Sequence, residues 1–297
     1  MINIFKLDQF YNQLYLQQRT FYSNNQSLEI ANHSYSYPNQ LQSAVSGSNQ
    51  IPIGYEQVFN RQLAPFQNGP ERAEERPPHT QHVDWSSMFP HEVILHGPTN
   101  QKAISLTFDD GPDDVWTPMV LDVLKHFNIK GTFMCVGNRI QQHPHVLTRI
   151  IREGHVVGNH TWSHPNLTKI PLNQVRSQIE STANEIHRLA GVRPVLFRPP
   201  YGALNVSVIR EIMALGDKII YWDVDSLDWD GLTAQQVSTN ILSNVRPGAI
   251  ILQHCAGGRG ESLLDTVQSL PHTIHTLHNE GYNFVTVPQL LNIKPFK

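Results

Sequence analysis

At 297 residues the chain is long enough for one large α/β domain plus a smaller region. A formal charge of -3 and a pI near 6.6 leave no electrostatic footprint for nucleic acid or anionic lipid as partner. No apolar run approaches a membrane span, and two cysteines, Cys135 and Cys255, are too few for a disulfide framework.

The first twenty residues carry Ile4, Phe5, Leu7, Phe10, Leu14 and Leu16, but Lys6, Asp8, Gln9, Asn12 and Gln13 interrupt them. This gives no continuous apolar stretch of the kind an export signal needs, and a short amphipathic helix is expected instead. Residues 1–83 are about a quarter Asn and Gln, with scattered tyrosines such as Tyr11, Tyr22 and Tyr37 and one lysine, Lys6. Two readings of this extension follow: disorder, because it cannot bury enough apolar surface, or a sticky segment attaching the protein to a partner or surface. Glu71 to Pro78 ends in a Pro-Pro pair and reads as linker, and residues 84–100 read as an entry segment.

From about residue 100 a strand-then-helix rhythm begins. Strands are expected at 103–108, 131–136, 155–158, 195–198, 219–224, 249–253 and 283–287. Helices are expected at 118–127, 144–153, 172–190, 206–215, 233–245 and 263–280, with Gly154, Gly191, Gly216, Gly248 and Gly281 as stop signals. Alternation of this kind means βαβ units and a parallel sheet, and seven strands suit a barrel better than an open sheet. The domain is set at 101–288, with 289–297 as a tail.

Polar residues gather where these strands end. After Ile104, Leu106 and Phe108, the first strand stops at Asp109 and Asp110, then turns at Gly111-Pro112. Adjacent side chains on an extended segment point apart, so the two carboxylates can serve different partners, or they are merely turn and helix-cap acceptors. After the third strand come His160 and His164, four apart and able to reach one metal ion; with an aspartate they would make three protein ligands plus an open position. A pair at this spacing is also common by chance among 16 histidines.

The fourth strand ends in Arg198-Pro199-Pro200-Tyr201-Gly202. A buried Arg198 needs a carboxylate partner, and the prolines would fix a main-chain N–H such as that of Tyr201 toward an oxyanion; the other reading is a rigid turn with a surface arginine. The fifth ends in Asp223-Val224-Asp225-Ser226-Leu227-Asp228-Trp229, with Asp223 and Asp225 on one face by alternation. The sixth ends in Leu252-Gln253-His254, where the histidine is either a satisfied core residue or, beside an aspartate, a general acid with a raised pKa. Cys135 reads as an inert packing thiol, and so does Cys255, next to His254, with a reactive or metal-poisoning role as its alternative.

The series Thr-Phe-Asp-Asp-Gly-Pro, His-Thr-Trp-Ser-His-Pro, Arg-Pro-Pro-Tyr-Gly, Asp-Ser-Leu-Asp-Trp and Leu-Gln-His, in this order, resembles the polysaccharide deacetylases of carbohydrate esterase family 4, which share the NodB-homology domain. The resemblance spans about residues 101–288 and implies an α/β fold, a distorted (β/α)7-8 barrel. It implies that Asp110, His160 and His164 hold a divalent metal, zinc first, with cobalt or nickel as other choices. Asp109 would be the general base, Arg198 its partner, and Tyr201 would give an oxyanion N–H. His254 would protonate the departing amine, Asp225 would orient His254, and Trp229 and Leu252 would wall the acetyl pocket. Cys255-Ala256-Gly257-Gly258 departs from the family pattern, where many relatives carry an aspartate and another polar residue.

The expected activity is metal-dependent removal of N-acetyl groups from an N-acetylglucosamine polymer, peptidoglycan or chitin-like, at the cell envelope or outside the cell. An O-acetyl esterase or small-molecule amide hydrolase on the same scaffold is the alternative within enzymes. A non-catalytic carbohydrate-binding or envelope protein is the alternative outside them.

Overall fold

A computed structural model describes residues 84–297, apart from 259 and 260. The readings of residues 1–83 lie outside the described residues. In chain order the first half comprises α1 (Trp85–Met88), β1 (Val93–Ile94), β2 (Ala103–Asp109), α2 (Trp116–His126), β3 (Thr132–Cys135), α3 (Gly137–Gln142), α4 (Pro144–Arg152), β4 (Val156–Asn159) and α5 (Leu172–Ala190). The second half comprises β5 (Leu196–Phe197), α6 (Val206–Ala214), β6 (Lys218–Ile220), β7 (Val224–Asp225), α7 (Ala234–Asn244), β8 (Ile250–His254), α8 (Leu264–Asn279), β9 (Asn283–Phe284) and α9 (Val287–Leu291).

The named strands pair in parallel in the order β1-β6-β5-β4-β3-β2-β8-β7, with β9 also on β2. This curled sheet, interleaved with helices, is the expected distorted barrel. β2 pairs with three strands, and every residue of β2 after Ala103 is buried, as a parallel strand covered on both faces must be. Its first two residues pair with β9 and its last three with β3, so one edge serves two neighbours. On the other edge, the register sets Asp109 directly beside His254. Two carboxyl- and imidazole-bearing strand ends are therefore neighbours by hydrogen-bond register alone.

Met134 and Ile250 are register partners of Asp109 and Ser105 and share their face. They cluster with Val156, Leu196, Ile220 and the α9 residues Val287 and Leu290. The barrel is thus plugged with aliphatic side chains below the carboxylates, and the polar chemistry is left to the C-terminal ends of the strands. Outside the barrel, α5 buries Val175, Ile179, Ala183 and Ile186 on one stripe and stops at Gly191, whose φ of 71° suits glycine. Val175, Ile179 and Ile186 are each worth about 1.5–3 kcal/mol as an upper bound.

Three expectations need correction. Residues 84–100 are part of the fold: Asp84 caps α1, and β1 joins β6 with Val93 in the core. Residues 289–297 are docked, since α9 crosses that boundary and Phe296 bridges to Pro194. The single strand expected at 219–224 is two, β6 on β5 and β7 on β8. The break has a cause: the Arg198 guanidinium takes the carbonyls of Ile220 (2.9 Å) and Tyr221 (3.0 Å). No helix among the described residues is long and apolar enough to cross a membrane.

Candidate active site

Asp109 ends β2 in extended geometry, but Asp110 has a φ of 72°, a left-handed value that aspartate tolerates better than most residues. This breaks the alternation expected for the pair. Both carboxylates approach one imidazole: His160 Nε2 lies 3.8 Å from Asp109 Oδ2 and 3.4 Å from Asp110 Oδ1.

His160 follows β4, and its Nδ1 lies 2.7 Å from the carbonyl oxygen of Arg198. A carbonyl only accepts, so Nδ1 carries the hydrogen and Nε2 is turned to the carboxylates. The loop to His164 is held by Asn159 Oδ1, which accepts from Thr161 N, and by Gln178 Oε1 of α5, which accepts from the N–H groups of Trp162 and Ser163. Thr161 and His164 both have left-handed φ, which curls the loop back. His164 Nε2 then sits 3.1 Å from His160 Nε2 and 3.3 Å from Asp110 Oδ1.

Asp110, His160 and His164 offer ligand atoms within 4.8 Å of one another, and among the described residues they form the one group of this kind. Asp110 Oδ1 is buried and makes no hydrogen bond. Burial by itself would raise the Asp110 carboxyl, yet the His164, His160 and His254 rings hold it far below the usual range. Burial pushes His164 down to about 3, against the pull of Asp110, so that ring is neutral with a lone pair to give. His160 is raised: Asp109 and Asp110 overcome its burial, and both carboxylates favour positive charge at this point. Two imidazole nitrogens, an orphaned carboxylate oxygen and a tautomer fixed from behind fit a divalent cation.

Arg198 is wholly buried. Its Nη1 donates to Asp109 Oδ1 (2.7 Å) and to Thr107 Oγ1 (2.8 Å), and the remaining donors take the two carbonyls that split β6 from β7. Asp109 Oδ1 is thus anchored while Oδ2 faces the histidines. Replacing Arg198 with Met, of similar length, should lower the unfolding free energy by about 3–5 kcal/mol, because the buried Asp109 carboxylate loses its hydrogen-bonded guanidinium partner. Urea titration of both proteins reads this directly, and matching midpoints would refute the pairing as a structural element.

Tyr201, in a 3-10 turn over Pro200–Gly202, has a φ of 61°. Its phenol oxygen is 3.3 Å from His164 Nδ1, so the tyrosine borders the histidine pair. Leu252, at 4 % exposure, and Trp229, at 8 %, lie almost fully buried on β8 and on the loop after β7.

Asp225 is not the residue on His254. His254 Nδ1 meets Asp228 Oδ1 at 2.8 Å, and its backbone N–H donates to Asp228 Oδ2 at 2.8 Å. Asp225 Oδ1 instead accepts from Leu227 N and Trp229 Nε1. The cause is local: β7 ends at Asp225 and Leu227 turns with a φ of 56°, so strand alternation no longer governs the stretch and Asp228 swings under β8. Although burial disfavours the charged ring, the Asp228 carboxylate raises His254 to about 10. Burial raises Asp225 to about 6. No residue pattern in the sequence distinguishes Asp228 from Asp225; the turn decides it.

Cys255 is fully buried, its N–H donates to Asp109 O, and its carbonyl accepts from Thr117 Oγ1. Burial raises both thiols far above their ordinary value, so both cysteines are inert packing groups. A further short element, α3, escaped the sequence reading. Its Gly137 and Asn138 N–H groups donate to the carbonyls of Thr161 and Trp162, and Arg139 donates to Gly257 O (2.7 Å), joining the histidine loop to the segment after His254.

Residues 96–220 match the family model for polysaccharide deacetylases. Over 194 residues the chain is 42% identical to a peptidoglycan-N-acetylglucosamine deacetylase of Bacillus cereus, covering 65% of this chain and 70% of that protein. It is 37% identical over 195 residues to the peptidoglycan-N-acetylmuramic acid deacetylase PdaC of Bacillus subtilis, covering 66% of this chain but only 40% of that longer protein. The crystal structure of the Bc1960 peptidoglycan N-acetylglucosamine deacetylase, in complex with 4-naphthalen-1-yl-N-oxidanyl-benzamide, superposes with a TM-score of 0.69 at 38% identity, over 72% of this chain and 99% of that one.

Proposed function

The chain belongs to the polysaccharide deacetylase family, and from that membership and the site's geometry we propose that it removes N-acetyl groups from an N-acetylglucosamine-containing polymer, peptidoglycan or a chitin-like glycan, and releases acetate. The observation that carries the proposal is the convergence of Asp110, His160 and His164 beside an Asp109–His254 pair that the β2–β8 register sets side by side. Asp110, His160 and His164 would hold a divalent cation, zinc first among those that suit this donor set. When bound, the cation supplies Lewis acidity and water activation near neutral pH.

The chain's own groups account for the proton movements. Asp109, with Oδ1 fixed by Arg198, takes the proton of the attacking water on Oδ2. The Tyr201 N–H stabilises the oxyanion as the acetyl carbon becomes tetrahedral. His254, kept protonated by Asp228, gives its Nε2 proton to the departing sugar amine, without which the C–N bond does not break readily. Trp229 and Leu252 wall the acetyl pocket, and Asp225 supports that wall by holding the Trp229 indole. An amine leaving group is where a strong proton donor matters most, which favours N-acetyl over O-acetyl substrates. The intact set of ligand, base and acid residues favours turnover over a binding-only role.

The test is acetate release from N-acetylglucosamine oligomers and from peptidoglycan, with and without chelator and with zinc or cobalt restored. Release should stop with chelator and return with metal. Bound metal without release from either polymer would shift the reading to O-acetyl esters or small amides. Glycan binding with neither metal nor release would establish the non-catalytic alternative. A peptidoglycan substrate would place the protein at the cell envelope or outside the cell, and fractionation of cells would check it.

A further inference from the structure

Four buried hydroxyl side chains belong to α7 and α8: Ser238 on the first, Thr266, Ser269 and Thr273 on the second. Ser269 Oγ donates to Thr266 O, Thr273 Oγ1 donates to Ser269 O, and Ser238 Oγ meets Thr273 Oγ1 at 2.9 Å. Ser269 and Thr273 are therefore satisfied by their own helix, as hydroxyls in helices commonly are. Thr266 differs. Its Oγ1 leaves α8 and donates to Asp228 Oδ2 at 3.0 Å, from a position 1% exposed.

Asp228 thereby receives three donors on a wholly buried carboxylate: His254 Nδ1 on Oδ1, and His254 N and Thr266 Oγ1 on Oδ2. The first two come from one residue on β8 and leave the carboxylate free to pivot about that strand. Thr266 supplies the third point from another element, which fixes the carboxylate plane and so the ring behind which it sits. We propose that Thr266 is a positioning residue for the deacetylation, acting on the His254 ring through Asp228. This rests on the reading of His254 as proton donor to the leaving amine.

The test is a double-mutant cycle on acetate release. Thr266→Val preserves shape and removes the donor; it should lower kcat about tenfold, as loss of one hydrogen bond to a charged group implies, with KM and metal content retained. Thr266→Ser, which keeps the hydroxyl, should recover most of the loss. In an Asp228→Asn background the same Thr266→Val change should cost less than about twofold, because an amide no longer holds the His254 ring protonated and little proton donation is left for Thr266 to position. An equal loss in both backgrounds, or no loss in the wild-type background, overturns the proposal. If Asp228→Asn itself leaves kcat intact, the proton-donor reading has failed, and that outcome is distinct from a failure of Thr266 alone. A thermal midpoint for each variant separates a folding defect from a kinetic one.

Discussion

Asp109→Asn should keep its metal and lose acetate release by about a thousandfold or more. A general base contributes roughly 10²–10⁴ in rate, and here no other carboxylate is free to substitute, since Asp110 is turned to the two histidines. The asparagine oxygen can still accept from Arg198 Nη1, so the protein should fold, though with a lower midpoint because a buried charge pair has become a charge and an amide. His160→Ala and His164→Ala should behave in the opposite way, losing the metal first and turnover as a result. Metal content and acetate release measured on the same three preparations separate the roles. An active Asp109→Asn enzyme would remove Asp109 as base, and a His164→Ala protein that retains stoichiometric metal would remove the ligand assignment.

The same residues mark how far the sequence could be read. α5 was legible to its ends, because nineteen residues give several turns of periodicity and a terminal glycine. Asp109, Asp110, His160, Arg198 and His254 could be placed at strand ends because each follows an apolar run long enough to recognise. β1 and β5, two residues each, carry no period and were either missed or overextended. The split of the fifth strand depends on where Arg198 sends its guanidinium across the sheet, information that no local window contains. Asp225 and Asp228 are separated by the single left-handed turn at Leu227, which leucine does not advertise. Local pattern gave the scaffold and its strand-end chemistry; the supporting contacts came from long-range geometry.

Asp228→Asn bears on that last point and should produce the second large effect, a fall in kcat of about a hundredfold at pH 8 that shrinks toward pH 6. A proton donor works while it is protonated, so activity is retained below its pKa and lost above. In the native protein Asp228 lifts His254 to about 10 against burial, which places the alkaline limb well above neutrality. Without the carboxylate, burial has less to oppose it and the His254 pKa drops, so the limb moves to lower pH. The stability consequence has the same sign. A group raised on folding contributes stability that is whole below its unfolded value, about 6.5, and fades as pH climbs through about 10; the variant should lack that contribution, most visibly at neutral and acid pH. Asp225→Asn should move the limb far less, since Asp225 bonds Leu227 and Trp229 and not the ring, and should act mainly on KM through the pocket wall. Measuring kcat against pH for the three proteins decides between the two aspartates. A limb that stays in place in Asp228→Asn and shifts in Asp225→Asn would return the orienting role to Asp225.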